Sequence, residues 1–161
     1  MPSRATLPQR LFVRRNEAAA TVLAALRSAG LRAGSLRVQL RLPRRGLTGP
    51  LRLSLLGSAD ERVVVGFDPD SDSYFLERAA RQRRFSGDGG RHAAPRLSQA
   101  DADIRLDVWV DQCTVEVFAD DGELVFSDLV FNDPDSRDLA LAIDGPAGRI
   151  VVLVVTDLGG V

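Results

Sequence analysis

The sequence predicts an all-β protein built as a two-sheet antiparallel β-sandwich. Three observations predict it: apolar and polar residues alternate with a period of two through most of the chain, the alternating runs are short, and turn chemistry separates them. Hydrophobic residues make up 45% of 161 positions, enough for one domain to bury a real core. The reading is a single domain over residues 1–161.

The elements follow in order. The segment Glu17–Gly30, "EAAATVLAALRSAG", is the exception to the period of two. It reads as a helix of about three turns or as a strand written in alanine, with the closing glycine on the side of the helix. "LRVQLRL" (Leu36–Leu42) alternates cleanly, and "LRLSLLG" (Leu51–Gly57) nearly as well. Further strands are expected at Glu61–Phe67, Ser73–Arg78, Asp103–Val110, Cys113–Ala119, Glu123–Phe131, Asp138–Ile143 and Arg149–Val155. Between them stand Gly49-Pro50, Asp68-Pro69-Asp70, Asp120-Asp121-Gly122, Asp133-Pro134 and Gly145-Pro146, residue types that turns require. Ala80–Ala102 is rich in Arg and Gly with little periodicity, and is expected to be a long connection from one sheet to the other. Many short strands with turns between them make a sandwich.

Charge is distributed unevenly. Residues 1–50 hold ten arginines against one acid, Glu17, while residues 101–161 hold three arginines against fourteen acids. A basic half suggests nucleic acid in other settings. Here the acidic half offers an internal partner and the arginines alternate with leucines, so no nucleic-acid partner is expected. No apolar run is long enough to cross a membrane as a helix. The first residues, "MPSRATLPQRLFVRR", lack the apolar core of a secretory signal, which points to a cytoplasmic chain or to one cut from a longer polypeptide. A lone cysteine, Cys113, excludes a disulfide framework and a cysteine-cluster zinc site; its place in a strand pattern predicts a small buried hydrophobe.

The stretch Trp109–Phe131 concentrates carboxylates: Asp111, Glu116, Asp120 and Asp121, with Asp107 just before it. Strand alternation sorts them. Ile104, Leu106, Val108 and Val110 share one face, and Arg105, Asp107, Trp109 and Asp111 the other. Cys113, Val115 and Val117 then face inward, opposite Thr114, Glu116 and Phe118. The acids belong on the outer face in water, and Asp120-Asp121-Gly122 is a hairpin turn. Trp109 and Phe118 are anomalous there. Three readings are open: packing within the chain, an interface with another domain or subunit, or a sugar stacked on Trp109 with Asp107, Asp111 and Glu116 accepting its hydroxyl hydrogens.

Other signals are weaker. "DPDSDS" (Asp68–Ser73) opens like a calcium loop but lacks the glycine and final acid such a loop needs. His92 reads as a solvated loop residue without a ligand partner nearby. Ser86 has no nucleophile-elbow setting, and the glycines after it no strand-to-helix setting. No metal site, cofactor or catalytic residue is nominated.

The hairpin "VDQCTVEVFADDGELVFSDLVF" resembles a motif near the C-terminus of family 32 glycoside hydrolases, the invertases, levanases and inulinases. Their pattern is roughly V-D-R-S-S-V-E-V-F, a turn with D-G, and a strand ending in an aromatic. Asp111, Val115, Glu116, Val117, Phe118, Gly122 and Phe131 match it; Gln112 and Cys113 depart from Arg and Ser. "LPQRLFVR" (Leu7–Arg14) is similar to the module's opening, and "YFLERAARQRRFSG" (Tyr74–Gly87) to an internal strand and loop whose usual Asp is missing.

The resemblance implies a concanavalin- or lectin-like sandwich that accompanies a catalytic β-propeller. The propeller's length and its W-M-N-D-P-N-G, R-D-P and E-C motifs do not occur in these residues. "FNDPDS" (Phe131–Ser136) contains Asn-Asp-Pro, but no second carboxylate motif accompanies Asp133, and a retaining glycosidase needs a pair about 5 Å apart. The expectation is therefore a non-catalytic accessory domain of a fructan- or sucrose-cleaving hydrolase, packing on a catalytic domain or self-associating. The alternative is an independent fructan-binding module.

Overall fold

A computed structural model describes residues 8–59, 61–78, 90–99, 101–111, 113–130, 134–145 and 148–159. The strands are β1 (Gln9–Ala18), β2 (Ser35–Leu42), β3 (Leu51–Gly57), β4 (Val63–Asp68), β5 (Ser73–Arg78), β6 (Arg91–Pro95), β7 (Ile104–Asp111), β8 (Thr114–Ala119), β9 (Leu124–Leu129), β10 (Asp138–Ile143) and β11 (Arg149–Asp157). One helix, α1 (Ala19–Ala29), follows β1. The strands form two antiparallel sheets, a six-stranded one ordered β1-β11-β2-β7-β8-β9 and a five-stranded one ordered β10-β3-β4-β5-β6. The expected sandwich is present.

Alternation builds the core. Leu36, Val38, Leu40 and Leu42 of β2, and Ile104, Leu106, Val108 and Val110 of β7, are all buried. They face Leu51, Leu53, Leu55, Val63, Val65 and Phe67 of the second sheet, all fully buried. Each fully buried aliphatic or aromatic side chain contributes about 1.5–3 kcal/mol relative to exposure. Helix α1 buries Ala19, Val22 and Leu26 and touches β1, β10 and β11, so it closes one side of the sandwich. Gly30 ends it in the left-handed conformation, at φ 56°, where a side chain would be strained.

The structure departs from the sequence reading in several places. The Glu17–Gly30 segment is divided: its first two residues finish β1 and the rest is helix. β1 itself was not expected, because as an edge strand it buries only Phe12 and leaves its other residues half-buried or exposed. Within Ala80–Ala102, Arg91–Pro95 is not a connection but strand β6, paired with β5; its Ala-Ala-Pro has no β-branched residue, and Pro is tolerated because this strand too is an edge. His92 consequently stands on a strand, its Nε2 3.4 Å from Asp128, and not in a solvated loop. Cys113 is exposed, because it sits in the turn before β8 and not within the strand.

Polar groups tie the sheets together along the β5–β6 side. Asp120 was expected in water on the outer face; it is buried, at 5% exposure. The turn Asp120–Gly122 has three successive positive φ angles, and this backbone points the first carboxylate inward. Tyr74 Oη donates to Asp120 Oδ1 at 2.5 Å and Arg96 Nε to Oδ2 at 2.9 Å. Arg96 Nη2 also donates to the carbonyls of Ala102 and Asp103. On edge strand β9, the inward Asp128 pairs with Arg78 at 3.3 Å. An inward charge on an edge strand discourages further strand addition. Asn132 and Asp133 of the Asn-Asp-Pro string, and Ser86, lie outside the described residues.

Candidate functional site: the outer face of the six-stranded sheet

Strand register places the sequence candidates on one surface. A row across the sheet runs Val13, Val154, Gln39, Asp107, Phe118, Val125. The next runs Thr156, Arg37, Trp109, Glu116, Ser127, and another Ser35, Asp111, Thr114, Leu129. Trp109, Asp107, Asp111 and Glu116 therefore do share a face, as alternation predicts. They are not gathered into one pocket. Trp109 and Asp107 lie together, Glu116 is the cross-strand neighbour of Trp109, and Asp111 is exposed at the strand end.

Arg37, which sequence reasoning did not single out, organises the middle of this face. Its Nε and Nη2 donate to the two oxygens of Asp107 at 2.8 and 2.7 Å, a bidentate fork. The same guanidinium lies 4.3 Å from the centre of the Trp109 ring. It thus covers one indole face and neutralises the nearest carboxylate. The hydrogen bonds that Arg37 donates to Asp107, then the charge of that carboxylate, hold the Arg37 pKa above the usual value against the opposing pull of burial. The available signal was the polar face of "LRVQLRL", which places Arg37, Gln39 and Arg41 side by side. What it lacked was the pairing of β2 with β7.

Toward the hairpin tip the face dips into a shallow groove of about 490 Å³. Gln39, Arg41, Arg105, Asp107, Phe118 and Asp121 line it, with Val152 at its edge. Its charged groups are held: Arg41 Nε donates to Asp103 at 2.8 Å, and Arg105 pairs with Asp121. Phe118 contributes a half-buried ring. Beyond the groove, Val125 and Leu129 on β9 are 56% and 54% exposed. Among the described residues no cluster of three His, Cys, Asp or Glu could hold a metal, and no helix is long and apolar enough to cross a membrane.

The family model for "Glycosyl hydrolases family 32 C terminal" matches residues 9–157, from the start of β1 to the end of β11. The chain belongs to this family. A levanase of Bacillus sp. (strain L7) is 31% identical over 130 residues, covering 78% of this chain and 14% of the levanase. The exo-inulinase of Aspergillus awamori shares the fold at a TM-score of 0.66 with 19% identity, over 98% of this chain and 29% of that one. A fructofuranosidase of Schwanniomyces occidentalis, solved with fructosylnystose, matches at 0.70 with 13% identity, over 99% and 35%. A galectin of Caenorhabditis elegans matches at 0.56 with 14% identity, over 78% and 86%. This family 32 module therefore spans about a seventh of the levanase and about a third of the two hydrolase structures.

Proposed function

We propose that this family 32 C-terminal module is a non-catalytic accessory domain that braces the catalytic part of a fructan- or sucrose-cleaving hydrolase. The observation that carries the reading is the family match over residues 9–157 in a chain that spans only 14% of the levanase it resembles. Its acids support the reading by their engagements. Asp107 is locked to Arg37, Asp120 is buried against Tyr74 and Arg96, and Asp121 pairs with Arg105. None of these three stands as a free acid beside a free nucleophile, the arrangement that glycoside hydrolysis uses.

The partner in this reading is a glycosidase catalytic domain, with self-association as the other form of the same role. The outer face of the six-stranded sheet suits docking in composition. It presents Trp109, Phe118 and a fringe of arginines, residue types that interfaces favour, beside the exposed apolar Val125 and Leu129. The accessory reading is preferred to a fructan-binding module built on Trp109, Asp107, Asp111 and Glu116, because Arg37 occupies an indole face a sugar would stack on.

Sedimentation tests it. Purified chain is run alone and with a separately expressed family 32 catalytic domain, as wild type and as Val125→Asp and Leu129→Asp. A complex, with the catalytic domain or with itself, that weakens in both variants is the expected result. A chain that stays monomeric in every mixture contradicts the proposal.

A further inference from the structure

The groove beside the hairpin tip has a chemistry that docking does not require. We propose that it is a binding site for a short neutral oligosaccharide, held by Phe118, Gln39, Asp107, Arg41 and Arg105. This goes beyond the bracing role and concerns the groove, not the exposed Val125 and Leu129 on which the docking test turns.

Size comes first. A volume of about 490 Å³ lies within the range of roughly 300–1,000 Å³ typical of small-molecule sites, and suits a few sugar rings lying along the sheet.

Charge comes second. The lining carries two arginines and two aspartates, and each is already matched: Asp107 by Arg37, Arg105 by Asp121, Arg41 by Asp103. An anion would gain little from cations that are spoken for, and a cation little from such carboxylates. A hydroxyl group has no such difficulty. It donates to a carboxylate lone pair and accepts from an unused guanidinium N–H at once, leaving the ion pairs intact. The lining therefore selects a neutral polyhydroxylated ligand over a phosphate or carboxylate.

Shape and rigidity come third. Phe118 supplies an apolar ring for the C–H face of a sugar. Gln39 supplies an amide that both donates and accepts, and no other described side chain takes it up. Gln39, Asp107 and Phe118 are consecutive in one cross-strand row, so three strands fix their spacing. Ion pairs fix the remaining rotamers. Such preorganisation lowers the entropy lost when a ligand binds.

The test is calorimetric titration of purified chain with fructosylnystose, maltotetraose and glucose 6-phosphate. The fluorescence of Trp109, the single tryptophan, is followed in parallel. The expected result is saturable binding of at least one neutral oligosaccharide and none of the sugar phosphate. Phe118→Ala and Gln39→Ala should each weaken it about ten-fold, the scale of one lost aromatic or hydrogen-bonded contact. Phe118→Leu, which keeps an apolar side chain and the fold, should weaken it too. Ser127→Ala, on the same face outside the groove, should leave it unchanged. The proposal is overturned by no saturable binding, by preference for the phosphate, or by full affinity in Phe118→Leu and Gln39→Ala. Any of these leaves the sedimentation result untouched.

Discussion

Tyr74, on β5 of the five-stranded sheet, donates its hydroxyl hydrogen to Asp120, in the β8–β9 turn of the other sheet, at 2.5 Å in the buried interior. Burial first, and then the hydrogen bond and charge of Asp120, push the Tyr74 pKa far above the usual tyrosine value; nearby Arg96 pulls weakly the other way. The fold thus favours the neutral phenol. Its folded pKa lies above the unfolded value of about 10, so its contribution is whole below pH ~10 and is lost as pH rises beyond it. Stability should fall by up to about 1.4 kcal/mol per pH unit there. Tyr74 is the only tyrosine, so phenolate absorbance reports on it alone. The absorbance should appear together with unfolding, not before it. Tyr74→Phe should abolish that slope.

Arg96 and Asp120 are buried with side-chain exposures of 0% and 4%. Burial drags the Arg96 pKa down, but the hydrogen bond and charge of Asp120 outweigh it and the net direction is up. Removing one member of such a pair strands the other. Asp120→Ala should cost about 3–5 kcal/mol in urea unfolding. Adding Arg96→Leu should restore part of that loss, giving a clear non-additivity.

Gly66 is a packing requirement on the outer face of the second sheet. A β-carbon there would run into the Leu51 carbonyl and the Phe75 ring, which lies across the glycine under Arg91. Gly66→Ala should lower stability by about 1–3 kcal/mol, visible as a lower melting temperature. Gly148, with open space around its β-position, should accept alanine within about 0.5 kcal/mol.

Arg37→Ala should uncover Trp109 and shift its emission to the red, because the guanidinium that covers the indole is gone. The stability loss should stay within about 1 kcal/mol, since Arg37 and Asp107 are each about a third exposed and water screens the pair. Arg37→Lys should behave almost as Ala does, because an ammonium cannot make the fork to Asp107.

The legible part of the fold was the part governed by alternation. Leu36–Leu42 and Asp103–Val110 announce buried strands because a sandwich buries one face of each. β1 and β6 were hidden because edge strands need little apolar patterning, and Pro95 argues against a strand everywhere except at an edge. Trp109 and Asp107 were correctly placed on one face, since parity within a strand fixes that. Arg37 above them, and the inward turn of Asp120 to Tyr74, depend on contacts between residues 70 and 46 positions apart. Local sequence holds no record of such pairings. The hairpin motif made the family legible beforehand, and the match over residues 9–157 bears it out.

The proposed accessory role requires that this module perform no hydrolysis by itself. The most direct measurement is fructose release from sucrose, levan and inulin by chain purified to homogeneity. Release at the rate of buffer alone is expected at every protein concentration. Turnover that rises in proportion to the chain and survives a further purification step would contradict it.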